Sequence, residues 1–212
     1  MSETPPRIAA IVLAAGSSSR TAPAHKLLAP DATGLPMIAR TLRAVTASRA
    51  GPVTVVLGHR AEEIRQAALS GVRTGRRIDF VTARDYMTGL SCTLATGIQA
   101  VSTQQDVAGA VICLGDMPLI GAELIDQLIT AFMAHPERPG AMPVHEGRRG
   151  NPILWSRSLF PALLTLNGDQ GARSLLRQYE STMLRIPAGP EITQDFDTPD
   201  RLAEFARLFT GG

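Results

Sequence analysis

The chain has 212 residues, 44% hydrophobic and 19% charged, a balance suited to a globular core of ordinary size. Its formal net charge of +2, with no basic run or aromatic ladder, gives no ground for a nucleic-acid partner. Cysteine occurs only at Cys92 and Cys113, excluding a disulfide framework and a cysteine-based zinc site, and no apolar run approaches the ~20 residues of a transmembrane helix.

Residues 1–7, MSETPPR, read as a short disordered tail without the apolar centre of a signal peptide, and the cytoplasm is the expected compartment. Residues 8–212 read as one domain. The first strand is expected over Ile8–Leu13. It empties into a loop of small residues, Ala14 to Ser19, followed by Arg20 and Lys26. Small side chains let backbone N–H groups approach anionic oxygens, and the two cations add charge that the loop lacks. The loop is neither a dinucleotide fingerprint nor a P-loop, since Gly16 stands without further glycines and no Gly-Lys-Ser/Thr triplet follows. By itself it could equally be a strand-to-helix turn with two surface cations.

Helix and strand then alternate: a helix over Pro36–Ala47, a strand over Val53–Leu57, a helix over Ala61–Leu69 and a strand over Ile78–Thr82. Arg73, Arg76 and Arg77 are expected in a solvated loop. A helix over Ser91–Val101 precedes a strand over Val111–Leu114, which carries Cys113 as a small buried hydrophobe. That strand delivers Asp116 at its carboxyl end, where ligands bind in open α/β sheets. Asp116 could also simply cap the following turn. A helix over Ala122–Ala134 comes next.

Beyond Pro136 the texture changes. Strand-like segments at Ala141–Val144 and Pro152–Trp155 flank a Gly-Arg-Arg-Gly turn, which predicts an antiparallel hairpin on a mostly parallel sheet. Helices over Ser158–Leu166 and Ala172–Tyr179 and a strand over Met183–Ile186 follow. The last helix, Pro199–Leu208, has Pro199 in its first turn and Thr198 as cap. Just before it, Asp195 and Asp197 project to one side of an extended segment and Phe196 to the other. Either carboxylate suits a hard cation shared with Asp116, although capping alone also explains Asp197. Among the histidines, His25 is expected in an exposed loop beside Lys26, within reach of a phosphate. His59 ends a strand, His135 ends a helix and His145 lies in the hairpin.

The segments LAAGSSSR, GLSCTLATG, LGDMP, GRRGNP, GDQGAR and DFDTPD together resemble the molybdopterin cytidylyltransferase family of nucleotidyltransferases, across nearly the whole chain. The resemblance implies an α/β fold: a Rossmann-like three-layer αβα sandwich of the nucleotide-diphospho-sugar transferase type. It implies that Leu13, Ala14, Ala15, Gly16, Ser17 and Ser18 line the nucleotide, with Ser91 and Thr93 near its base. Arg20 and Lys26 would hold the phosphates, Asp116 and Asp197 would bind Mg²⁺, and Arg20, Lys26 and Asp116 would carry the catalysis. Arg149, Gly150, Asn151, Pro152, Asp169 and Arg173 would face the acceptor. Ala15 stands where guanylyltransferase relatives tend to have glycine, which by analogy favours CTP. Thr21 to His25 lengthens the family's path from the arginine to the lysine, and Asn151 replaces a histidine of some members.

The implied reaction is attack by the terminal phosphate of molybdopterin on the α-phosphorus of CTP, with a molybdoenzyme or its chaperone as a further partner. A phosphate monoester, with a second pKa near ~6, needs no protein base. Charge compensation is the harder requirement, because a like-charge pair at ~4 Å costs roughly 4 kcal/mol at an effective dielectric of 20. A sugar- or polyol-phosphate acceptor, or a non-catalytic nucleotide-binding maturation factor for a molybdenum hydroxylase, are the competing readings.

Overall fold

The computed structural model describes residues 6–72 and 75–210. Residues 1–5 of the expected tail and Arg73 of the expected arginine loop lie outside the described residues, whereas Arg7 already opens a strand. In chain order the elements are β1 (Arg7–Ala14), α1 (Met37–Ala47), β2 (Val53–Leu57), α2 (Ala61–Leu69), β3 (Ile78–Thr82), α3 (Leu90–Ser102), β4 (Val107–Leu114) and α4 (Ala122–Ala134). They continue as β5 (Gly140–His145), β6 (Arg148–Arg149), β7 (Ile153–Ser156), α5 (Phe160–Leu164), α6 (Arg173–Tyr179), β8 (Leu184–Pro187) and α7 (Pro199–Phe205).

β1 is the centre of the molecule. Every residue after Arg7 in it is buried, as a parallel strand covered on both faces requires. Its alternation sends Ile8, Ala10, Val12 and Ala14 into one core and Ala9, Ile11 and Leu13 into another. The first core is closed by Leu42 of α1, Ile64 of α2 and Leu128 of α4. The second is closed by Ile98 of α3, Leu163 of α5 and Leu176 of α6. The result is a three-layer αβα sandwich with a Rossmann-like sheet. At Gly97 α3 lies so close that an added Cβ would sit 2.5 Å from the Ile11 side chain, so only glycine fits there.

The strand order is β3-β2-β1-β4-β7-β5-β6, with β8 also pairing β5. β3, β2, β1 and β4 are parallel, and β7 is antiparallel to both β4 and β5. The chain winds one way from β1 through β2 to β3, then returns to the other side of β1 with β4. That reversal makes the carboxyl ends of β1 and β4 a topological switch point, where a ligand crevice opens. Register places Leu13 beside Leu114 at its floor.

A third cluster, Met37, Phe196 and Phe205, ties the C-terminal segment to α1, with the Phe196 and Phe205 rings 5.4 Å apart. Burying Phe196 leaves its neighbours Asp195 and Asp197 to face away from the cluster. Thr198 caps α7 by accepting the Arg201 N–H.

Several expected boundaries shift. β4 starts at Val107, because pairing with β1 recruits Ala108, Gly109 and Ala110, whose own strand preference is weak. The hairpin turns at Glu146–Gly147, both with positive φ, so Arg148 and Arg149 belong to β6 rather than to the turn. The expected helix over Ser158–Leu166 resolves into a 3₁₀ turn, Arg157–Leu159, and the short α5. α7 ends at Phe205. Arg76 and Arg77 are exposed in a loop, as expected, and the Arg76 guanidinium also donates to the carbonyls of Ser48 and Ala50.

Candidate active site

A cleft of about 710 Å³ opens over the switch point. Leu13 and Leu114 form part of its floor, and Ala14, Ala15, Gly16 and Ser17 carry its wall from the end of β1. The loop that follows is fixed by its own side chains. Ser18 adopts a left-handed conformation, and the Thr21 hydroxyl reaches back to the carbonyls of Ser18 and Ala24 at 3.0 and 2.9 Å. The lengthened path through Thr21 to His25 is thus folded onto itself and returns Lys26 to the cleft. Leu27, buried in the first core, anchors it there.

Lys26 Nζ lies 2.5 Å from Asp116 Oδ2, and both side chains are largely buried. Asp116 is held in place by its neighbour Gly115, whose N–H donates to Leu13 O and whose carbonyl accepts the Thr41 hydroxyl, each at 3.0 Å. Arg20 pairs with Asp197 Oδ2 at 2.7 Å; the aspartate is mostly buried and the arginine is 72% exposed. Asp195 belongs to the same group. Burial, then the charges of Asp197 and Asp116, push its carboxyl above the usual range, and Lys26 pulls it partly back. Three carboxylates and two cations from three distant parts of the sequence therefore share one electrostatic site.

Among the described residues no three His, Cys, Asp or Glu side chains form a ready-made metal cage. The oxygen donors of Asp116 and Asp197 nonetheless fit a hard divalent ion of the Mg²⁺ type, which is bound through one or two carboxylates plus substrate phosphates.

Opposite the loop, His59, Tyr86, Met87, Gly89 and Leu90 complete the cleft, none of them expected as site residues. The one available signal was Gly58-His59 at the carboxyl end of β2. Glycine is required at 58, since a Cβ would lie 2.6 Å from Ala15 O. Thr93, in the first turn of α3, faces the cleft, whereas Ser91 lies behind it with a buried hydroxyl that has no hydrogen-bond partner. Ser18 also stands off the cleft; its hydroxyl accepts the Lys26 N–H at 3.3 Å. His25 is not exposed but 5% accessible and packed behind the loop.

A second hollow, about 260 Å³, adjoins the first and shares Leu13, Leu90 and Leu114 with it. Trp155, Ile112, Ile153 and Leu176 give it an apolar floor, and Arg149, Gly150, Asn151 and Arg173 rim it. Arg149 is tethered to Glu180. Of the expected acceptor residues, Asp169 faces the first cleft instead, and Pro152 faces a small internal void beside Thr41 and Cys113. His145 donates through Nδ1 to Ala188 O at 2.8 Å.

The mostly parallel sheet, its small-residue loop, and the cations and carboxylates gathered at the switch point make a Rossmann-like fold with a charged cleft at its switch point. Residues 10–183 match the MobA-like NTP transferase domain, and the chain belongs to that family. It is similar to the bifunctional protein GlmU of Anaeromyxobacter sp. (strain Fw109-5), with 33% identity over 132 residues, covering 62% of this chain and 26% of that protein. The chain thus spans about a quarter of the length of that curated relative. In fold it resembles Rv0371c from Mycobacterium tuberculosis H37Rv, with a TM-score of 0.79 and 23% identity over 96% of this chain and 99% of that one. The same protein in complex with manganese gives a TM-score of 0.74 at 23% identity, over 94% of this chain and 98% of that one. A CMP:2-keto-3-deoxy-manno-octonic acid synthetase complexed with CTP gives 0.66 at 17% identity, over 93% and 96% of the two chains. No helix among the described residues is long and apolar enough to cross a membrane.

Proposed function

We propose that this nucleotidyltransferase transfers CMP from CTP to the terminal phosphate of a molybdopterin-type acceptor, releasing pyrophosphate, with Mg²⁺ as its metal. The observation that carries this reading is the pairing of Lys26 with Asp116 and of Arg20 with Asp197, the first three lining one cleft and Asp197 reaching it through Arg20. With no nucleotide bound, the phosphate-binding cations and the metal-binding carboxylates neutralise one another.

When CTP enters, Lys26 and Arg20 exchange their carboxylate partners for phosphate oxygens. Backbone N–H groups of the Ala14–Ser17 loop meet the remaining oxygens, and Leu13, Leu90 and Thr93 flank the base and sugar. Asp116 and Asp197 would hold a divalent ion, which would supply the charge that two protein cations cannot. The acceptor lies in the adjoining hollow, its flat ring over Trp155 and Leu176 and its phosphate toward Arg149 and Arg173. A phosphate oxygen forms the new bond to the α-phosphorus as the bond to the β-phosphate breaks, and pyrophosphate leaves toward Lys26. The protein contributes alignment and preorganised charge.

Manganese in Rv0371c and CTP in the octonic acid synthetase support the metal and the nucleotide. The apolar floor between two arginines favours a flat anionic acceptor over a sugar phosphate. Pyrophosphate release with CTP, GTP, ATP and UTP, each with molybdopterin and with a sugar 1-phosphate, tests this. Release confined to CTP with molybdopterin is expected. Release only with a sugar phosphate assigns the hollow to sugars, and none with any pair removes the catalytic reading.

A further inference from the structure

His25 combines near-complete burial with a ring whose two nitrogens both have partners. Nε2 lies 3.1 Å from Gly16 O, a group that only accepts, so Nε2 carries the proton and donates. Nδ1 is then an acceptor, and the Ser18 hydroxyl donates to it across 3.3 Å. The Ser18 oxygen in turn accepts the Lys26 N–H. One neutral imidazole thereby joins Gly16, the second residue after β1, the left-handed corner at Ser18 and the backbone of Lys26.

The ring also has a fixed seat. It stacks on His59 at 5.9 Å between centroids and 12° between planes, and His59 meets Tyr86 in turn. His59 itself is tied to the loop, its N–H donating to Ala15 O at 3.1 Å. The stack therefore links the loop to the far wall of the cleft.

We propose that His25 is a positioning residue for the nucleotide, its neutral imidazole holding the Gly16–Lys26 loop from behind in the shape that receives the phosphates. This rests on the nucleotidyltransferase reading of the cleft. It also gives the segment Thr21 to His25 a purpose, namely delivery of an internal brace to a loop that has a single glycine. A second proton on the ring would turn Nδ1 from acceptor to donor and reverse the Ser18 bond, so that Ser18 Oγ would accept from both Nδ1 and Lys26 N–H and its own hydrogen would need another acceptor. The groups facing the ring oppose that proton: Lys26 on its own segment, and His59 and Arg60 at the end of β2. Glu63 of α2, which pairs with Arg60, and Tyr86 complete the surroundings. Burial, aided by Arg60, His59 and Lys26, holds His25 below its usual 6.5, with the Gly16 bond acting the other way. The neutral-ring form of the brace is thus complete above pH 6.5 and gives way only as pH falls through the lowered value.

The test compares wild type with His25→Leu and His25→Gln, the glutamine retaining a donor for Gly16 O. Amide hydrogen exchange across residues 16–26 is read without ligand, and CTP affinity is read calorimetrically with Mn²⁺. His25→Leu is expected to speed exchange in the loop and to weaken CTP binding about tenfold, the scale of a lost buried hydrogen bond, with partial rescue in His25→Gln. Unchanged CTP affinity in His25→Leu overturns the proposal, whether or not the loop loosens. If that variant does not fold, imidazole ¹⁵N shifts of wild type at pH 7.5 decide: a neutral Nε2–H ring is expected, and an Nδ1–H or charged ring overturns it. Failure of wild type to bind CTP counts against the nucleotidyltransferase reading alone, because loop exchange and the tautomer still report on the brace.

Discussion

Lys26 and Asp116 stand ninety residues apart in sequence and meet at 2.5 Å over the switch point of the sheet. Neither is long-lived in that pairing if the cleft works as proposed, since the lysine is needed by phosphate and the aspartate by a cation. Asp116→Ala is accordingly expected to lower turnover by on the order of 10²-fold or more, the scale of losing one preorganised charge in a reaction centre. The pair is largely buried but opens onto the cleft, so the cost to folding is expected to lie between the ~1 kcal/mol of an exposed pair and the ~3 kcal/mol of a fully buried one, and the variant should still fold. Steady-state kinetics with a thermal melt checks both, and an active or unfolded variant contradicts the assignment.

Arg20 is the exposed member of the second pair, and its loss should act mainly on binding. Arg20→Ala is expected to raise KM for CTP roughly tenfold with a smaller change in kcat. Asp197→Asn should instead raise the divalent-ion concentration needed for half-maximal rate. Metal titrations of the two variants separate these effects, and identical titration curves would deny Asp197 a metal role.

The two hollows predict separable kinetics. Arg173→Ala, at the rim of the acceptor hollow, should raise KM for the acceptor several-fold and leave KM for CTP unchanged. A change in the CTP term alone would place Arg173 on the nucleotide side.

Asp31 offers a stability prediction away from the chemistry. Burial raises its carboxyl, but hydrogen bonds from Thr33 and Arg40 and from the N–H groups of Leu35 and Thr33 outweigh that, leaving it below the usual 3.8. A depressed carboxylate stabilises the fold above its unfolded value, and the contribution is lost as pH falls through the folded one. Asp31→Asn should therefore cost about 3 kcal/mol at pH 7, as for a broken buried pair. The difference from wild type should begin to shrink as pH falls below 3.8 and be lost only through the lower folded value. Denaturant unfolding across that pH range measures it.

Much of this site was legible because its parts sit at strand ends. An apolar strand running into Ala14–Ser19, an aspartate just past Leu114 and the Asp-Phe-Asp segment before a capped helix are local patterns, and the sheet brings their ends together. What sequence hid was depth. His25 reads as a loop residue because nothing near it in sequence shows that Thr21 folds back on Ala24 and drives the ring inward. Pro152 and Asp169 sit one step from residues that rim the acceptor hollow, yet a break between β6 and β7 and the turn before α6 aim them elsewhere. Arg76 is solvent-exposed as its sequence suggests, but its bonds to the Ser48 and Ala50 carbonyls leave no trace in side-chain patterning.

The exchange of partners in the cleft is open to direct view in a crystal structure with a non-hydrolysable CTP analogue and Mg²⁺. Lys26 and Arg20 are expected on phosphate oxygens, with the ion on Asp116 and Asp197. A nucleotide lodged elsewhere, with the Lys26–Asp116 and Arg20–Asp197 pairs intact, would contradict it.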